Sequence, residues 1–196
     1  NNCFSISGEG TEVFHSYQSW NGFSRFYGVS NKVEIADSAV FRTIGERRYA
    51  SISIGYSSEY HPHSRYNSLS VSNGGRLIAE NADIIVSEIS PTTDKVASFN
   101  KLSVTGEGSL AVAGESLHVG GSYNNQALNH YQYVVSNTVE VSNGGVFSNL
   151  CMTSSSKCYL PVQGYGNKVV VDGGFFYSSG SVDVGREGCA STNNTV

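Results

Sequence analysis

Three sets of side chains in this sequence have the makings of working sites. The four cysteines, Cys3, Cys151, Cys158 and Cys189, lie in a chain rich in Ser, Asn and Tyr and form no Cys-x-x-Cys pair, which points to disulfides in an oxidising compartment and away from a zinc site. His61 and His63 flank Pro62 with Glu59 nearby. Two histidines in one long loop without further ligands read as solvent-exposed polar residues, so no metal and no cofactor is expected. The aromatic loops carrying Trp20, Tyr56, Tyr60, Tyr131 and Tyr133 place rings among polar neighbours, the chemistry of glycan stacking or protein contact. The bland alternative is that these rings fold back over the flank of the chain's own core.

Catalysis on glycans needs paired carboxylates, or a base beside a calcium ion. Glu34 and Glu140 occupy equivalent positions three repeats apart, with Ser70 and Ser103 between them. At about 4.8 Å per coil they stand about 14 Å apart, beyond the separations that glycosidases use. His118 alternates outward between Leu117 and Val119 and reads as an ordinary surface residue. The sequence has no Gly-x-Ser-x-Gly elbow and no calcium-binding Gly-Gly-x-Gly-x-Asp repeat. No catalytic residue is assigned, and the expectation is a protein that is not an enzyme.

The elements that must position these groups follow from one repeated phrase: an Asn, alternating polar and apolar residues, then a turn that usually contains glycine. It starts at Asn2, Asn31, Asn67, Asn100, Asn137 and Asn167, and a further copy opens at Asn194. Successive starts differ by 29, 36, 33, 37, 30 and 27 residues. The turns read Ser7-Gly8-Glu9-Gly10, Ser72-Asn73-Gly74-Gly75, Thr105-Gly106-Glu107-Gly108, Ser142-Asn143-Gly144-Gly145 and Asp172-Gly173-Gly174, whereas Ala36-Asp37-Ser38-Ala39 lacks glycine. A second apolar piece follows, such as Arg76–Ala79, and then a third: Ser51–Gly55, Asp83–Val86, Ser116–Gly120, Leu150–Met152 and Ser181–Gly185.

Three short strands per repeat bury their apolar side chains only by coiling, so that each pairs in parallel with its copy one coil on. The expected fold is all-β: a right-handed parallel β-helix, or β-solenoid, of about six coils of 27–37 residues, one domain over residues 1–196. Its interior is expected to hold Phe4, Ile6, Val33, Ile35, Leu69, Val71, Leu102, Val104, Val139, Val141, Val169 and Val171, with Lys32, Lys101 and Lys168 pointing outward. Asn31, Asn67, Asn100, Asn137 and Asn167 are expected to serve structure, taking the left-handed backbone of a coil corner and stacking their amides into a ladder.

The phrase N-x-V-x-V-S-N-G-G, clearest at Asn137–Gly145 and Asn67–Gly75, resembles the repeats of bacterial autotransporter passengers and related surface adhesins. That resemblance implies a β-helix at the cell surface or outside the cell. A secretion signal and a translocator barrel, which such proteins carry, are not in this sequence.

Only 14% of the 196 residues are charged, the net charge is -4, and Lys and Arg do not cluster, so nucleic acid has no electrostatic footing as a partner. No apolar run approaches the about 20 residues that span a bilayer, and no membrane insertion of this segment is expected. The first repeat opens at Asn2 and the last stops at Val196 without polar caps, so both ends are expected to continue the ladder.

The leading functional expectation is therefore an extracellular structural subunit whose partner is itself, stacked head to tail into a fibre or surface appendage. Alternatives are a fragment of an adhesin that binds glycan or a host or cell-surface protein through its aromatic loops, and a polysaccharide-degrading β-helix enzyme. Coil arithmetic sets Cys3 about 19 Å or more from the other thiols, too far for a disulfide within the chain. One bond among Cys151, Cys158 and Cys189, and one from Cys3 to a neighbouring chain, are expected.

Overall fold

Alternation of apolar and polar residues in the repeated phrase becomes alternation of inside and outside in the structure. A computed structural model of the chain describes residues 2–17, 23–45, 51–57, 63–89, 96–120, 134–150, 159–162, 164–184 and 195–196. The first sheet stacks Cys3–Ser7, Lys32–Ala36, Ser68–Ser72, Lys101–Thr105, Thr138–Ser142 and Lys168–Asp172 in chain order, all parallel. Its inward columns are Phe4, Val33, Leu69, Leu102, Val139, Val169 and Ile6, Ile35, Val71, Val104, Val141, Val171. Ten of these twelve are buried; Phe4 and Val171 are 48% and 46% exposed. Both keep the expected register, but each has a described coil on one side only, so part of each side chain stays uncovered.

The second sheet stacks Glu12–Tyr17, Val40–Gly45, Arg76–Glu80, Leu110–Ala113, Val146–Asn149 and Phe175–Ser178. The third stacks Phe23–Phe26, Ser51–Ser57, Asp83–Ile89, Leu117–Val119, Tyr159–Val162 and Ser181–Val184. Parallel rungs and crossover connections make a β-solenoid, and parallel crossovers are right-handed as a rule. Buried Phe41, Leu77, Ala111 and Phe147 from the second sheet, and Ile52, Ile54, Ile84, Val86, Leu117, Val119 and Val162 from the third, complete the core. At the C-terminal end Phe176 stacks on Phe147, with ring centroids 5.3 Å apart.

Two features differ from the sequence reading. A fourth, three-stranded sheet, His63–Arg65, Val96–Ser98 and Val134–Val135, lies just before the ladder asparagines. Single bridges Val29↔Arg65 and Val135↔Tyr165 extend it. Runs of two or three residues are too short for alternation to register in sequence. Closed four-sided coils are accordingly fewer than the six rungs of the other sheets. Second, the third strand of the fifth coil is Tyr159–Val162 and not Leu150–Met152. The Leu150 N–H donates to the Ala113 carbonyl at 2.8 Å, which keeps Leu150 on the second-sheet ladder, and Cys151 and Met152 lie outside the described residues. Pro161 inside the true strand masked its strand character.

The left-handed corner also falls elsewhere than expected. Positive φ belongs to the residue before each ladder Asn, namely Ser30, Tyr66, Phe99, Ser136 and Gly166. In the turns after the first sheet it belongs to glycines such as Gly74, Gly108 and Gly144, to Asn73 and Asn143, and, in the glycine-free copy, to Asp37 and Ser38. Gly75 is required by close approach, since a Cβ there would overlap the Ile35 carbonyl.

The three large sheets differ in what they show outward. The first presents Ser5, Ser68, Ser70, Ser103 and Thr138 together with the pairs Lys32–Glu34 and Lys101–Glu140, each 2.5 Å. Lys168 is exposed beside them. The second presents Val40, Ile78, Leu110, Val112, Val146 and Phe175 together with Glu12, Arg42, Arg76 and Glu80. On the third, outward side chains such as Ser53, Asp83, Ile85 and Glu88 are themselves buried.

Candidate functional site

The ladder asparagines carry the densest hydrogen bonding. The backbone N–H and Nδ2 of each donate to Oδ1 of the next: Asn2 to Asn31 at 3.1 and 3.0 Å, Asn31 to Asn67 at 3.1 and 3.2 Å, Asn67 to Asn100 at 3.0 and 2.9 Å. Asn100 to Asn137 follows at 2.9 and 3.4 Å, and Asn137 to Asn167 at 2.7 and 2.8 Å. Asn67, Asn100, Asn137 and Asn167 are buried. One acceptor thereby satisfies two donors per rung, and the amide that recurs in sequence becomes a continuous chain along the solenoid axis.

A second polar system lies on the outward side of the third sheet and draws on four successive coils. Arg25, Ser53, Ile85 and His118 share one register row, while Ser51 and Asp83 share another. Glu88 accepts a hydrogen bond from the Ser53 hydroxyl at 2.6 Å and pairs with the Arg25 guanidinium at 3.7 Å. That guanidinium sits 3.6 Å above the Tyr56 ring, a cation–π contact. Asp83 accepts from the Ser116 N–H at 2.8 Å. Gly55 and Ser87 interrupt the strands with positive φ of 87° and 72°, which resets the alternation and turns Tyr56 and Glu88 outward.

Asp83 and Glu88 are 6% and 4% exposed. Burial, with the Glu115 and Glu88 charges adding to it, raises the Asp83 pKa to about 7. Burial also raises Glu88, against the Ser53 hydrogen bond and Arg25. His118 keeps some solvent contact, yet the desolvation of its ring lowers its pKa to about 4. It is a neutral imidazole at neutral pH and not the ordinary surface histidine expected from alternation.

Equivalent strand positions do not reveal a carboxylate group in the sequence. Glu34 and Glu140 do align through Ser70 and Ser103, each bonded to its own lysine. Asp83, Glu88 and Glu115 converge from non-equivalent positions, and Gly55 was the one trace of the bulge that brings Glu88 in. Among the described residues no group of three His, Cys, Asp or Glu has metal-binding geometry. With its carboxylates buried, the cluster ties coils together and holds a proton near neutrality.

The cluster's titration makes stability depend on pH. Asp83 binds its proton more tightly folded than unfolded, so its stabilising protonation is complete below about pH 4 and lost as pH rises through about 7. His118 has the opposite sign: its contribution is present above its ordinary value of 6.5 and lost as pH falls through about 4. The Asp83 effect is therefore read as a difference. Urea midpoints of the parent relative to Asp83→Asn should fall between pH 5 and pH 8, at about 1.4 kcal/mol per pH unit at most. A constant difference across that range would contradict the buried, protonated carboxyl.

Of the ring residues singled out in sequence, Tyr56 lies half-buried beneath Arg25 and is not a free binding ring. Trp20, Tyr60, Tyr131 and Tyr133 lie outside the described residues, as do Glu59, His61, Cys151, Cys158 and Cys189. His63 is exposed on the fourth sheet. Cys3 is exposed and unpaired in this chain, with its Sγ 3.9 Å from a Glu34 oxygen. The aromatic ledge that sequence did not suggest is Tyr66 and Phe99, stacked at 5.1 Å with 10° between planes. Both are exposed, and both are held at positive φ, an uncommon backbone for bulky residues.

No protein-family model matches the chain, and neither a curated protein nor a solved structure is significantly similar to it.

Proposed function

We propose that this β-solenoid is a non-enzymatic structural unit, working outside the cell or on its surface, that stacks head to tail into a fibre or appendage. The observation that carries the reading is the open core at both described ends. Phe4 at one end, and Val171, Val182 and Val184 at the other, face inward yet remain about half exposed. Among the described residues, Cys3–Ser7 has no strand on its outer side and Lys168–Asp172 has only the single bridge from Thr195, and strand edges of this kind are ones that natural proteins cover.

The two ends complement each other. Beside Phe4 a cleft of about 220 Å³ is lined by Asn2, Arg25, Phe26, Tyr27 and Val33 among others. Seating the Lys168–Asp172 strand of a second copy against Cys3–Ser7 puts its Val169 and Val171 over Phe4 and Ile6. Thr195 now holds that next rung by a bridge to Lys168 and yields it on stacking. Exposed Cys3 at this junction is available for a disulfide to the adjoining copy, a heterologous contact that propagates.

Light scattering and non-reducing electrophoresis test this. Multimers are expected that shorten on reduction and that Val171→Asp suppresses, because a charge then enters the buried column. Monomer in both parent and variant, with Cys3 freely alkylated, would overturn end-to-end stacking.

A second reading, adhesion to glycan or to a host or cell-surface protein, is supported by the Tyr66–Phe99 ledge and by the likeness of the repeated phrase to autotransporter adhesins. An exposed, conformationally fixed ring pair suits stacking on a flat partner at small entropic cost.

A further inference from the structure

The residues just before the ladder asparagines share one backbone conformation and differ in size. Ser30, Tyr66, Phe99, Ser136 and Gly166 all stand at positive φ, between 55° and 61°. Glycine adopts that conformation freely, whereas a bulky ring in it is an outlier with a cost. The chain nevertheless places rings there in two successive coils and leaves them 55% and 46% exposed. Tyr66 and Phe99 stack on each other at 5.1 Å. The next coil on either side of the pair supplies only Ser30 or Ser136 at that position. A serine is too small to cover a ring, so each ring keeps one face open.

A cation adjoins the rings. Arg65 directly precedes Tyr66 and pairs in register with Ser98, the residue before Phe99. Neighbouring Cα atoms lie about 3.8 Å apart along the chain, so the guanidinium starts within side-chain reach of the ring pair. The ion pairs of the described residues use Arg25, Lys32, Arg42 and Lys101. Arg65 takes part in none of them, and its Nε is buried without an acceptor, a state that costs free energy until an acceptor arrives. None is supplied locally. Among the described residues, the positions two before, one before and one after each ladder Asn hold no carboxylate, although the chain carries a net charge of -4.

We infer that this corner binds a carboxylate-bearing sugar of an acidic polysaccharide, an inference that rests on the glycan form of the adhesive reading above. The C–H face of the sugar lies on an open ring face of Tyr66 or Phe99, and its carboxylate accepts from the Arg65 guanidinium. The planar guanidinium matches a carboxylate with two parallel N–H···O bonds. Rings alone would take neutral sugars equally well. The cation without a counterion, at a corner free of acids, is what selects an acidic one. An acidic peptide would use the cation but would leave the exposed, conformationally costly rings without a task. The site lies on the flank of the solenoid, away from the strands that end-to-end stacking uses.

Calorimetric titration tests it with a hyaluronan tetrasaccharide, which carries uronate carboxylates, and with chitotetraose, a neutral chain that shares its N-acetylglucosamine. Hyaluronan should bind about tenfold more tightly and weaken as salt is raised. Arg65→Gln should remove that preference, with about a tenfold loss for hyaluronan and none for chitotetraose. Replacing both rings, Tyr66→Ser with Phe99→Ser, should weaken both sugars by about tenfold. Serine already holds that position at the same φ in two other coils, and equal melting temperatures for parent and variants establish that each is folded. Equal binding of the two sugars, with no effect of Arg65→Gln, overturns the acidic class and leaves glycan adhesion standing. Polyglutamate bound as tightly as hyaluronan overturns the sugar and assigns the corner to an acidic peptide. No binding of either sugar overturns this inference together with the glycan reading beneath it.

Discussion

Leu102→Asp is expected to abolish cooperative unfolding, leaving a chain with no native baseline in a thermal or urea scan. Leu102 is fully buried between Leu69 and Val139 in the central column of the first sheet. Truncating a buried Leu costs about 2–5 kcal/mol in itself. An unpaired carboxylate in the same place adds several more or forces protonation. Together these approach the about 5–15 kcal/mol by which domains of this kind are stable. The control is one column away. Ser68→Asp points outward and is flanked in register by Lys32 and Lys101, so it should be neutral or stabilising by about 0.2–1 kcal/mol. A Leu102→Asp protein that melts within about two degrees of the parent would mean that the inward register is wrong.

Asn100→Ala should be the second most damaging substitution, at about 3–5 kcal/mol, because several buried partners lose their bonds together. The Asn100 Oδ1 accepts from the backbone N–H and the Nδ2 of Asn67, which is itself buried. Its Nδ2 donates to the Ser64 carbonyl at 3.1 Å and to the Ser87 hydroxyl at 2.8 Å. Asn2→Ala removes the exposed end of the same ladder, where water replaces the lost amide, and should cost less than about 1 kcal/mol. Urea midpoints of the two variants measured side by side give the comparison. Equal losses would show that the ladder's bonds are worth no more inside than at the rim.

The repeated phrase by itself determined the parallel β-solenoid, the alternation of the first sheet and the identity of its inward columns. Those are properties of period 2 within a strand and of a period near 30 along the chain, both written in residue type. The stacked amides were legible for the same reason, because Asn recurs at one position of every coil. Their left-handed backbone was not. It belongs to the preceding residue, which is Ser, Tyr, Phe or Gly and has no shared chemistry to reveal it.

Only the tertiary structure decided the rest. Arg25, Ser53, Glu88 and Ser116 come from four coils, and of these only Arg25 and Ser53 share a register row; a bulge at Gly55 and Ser87 brings Glu88 round to Ser53. The fourth sheet depends on pairing between segments of two or three residues, too short to carry a pattern. Whether an outward valine meets solvent or the chain's own cover is likewise a matter of what lies over it. Ile85 and Val112 are alike in sequence terms, yet Ile85 is buried and Val112 is only partly covered, because burial depends on long-range packing and alternation sets only the direction in which a side chain points.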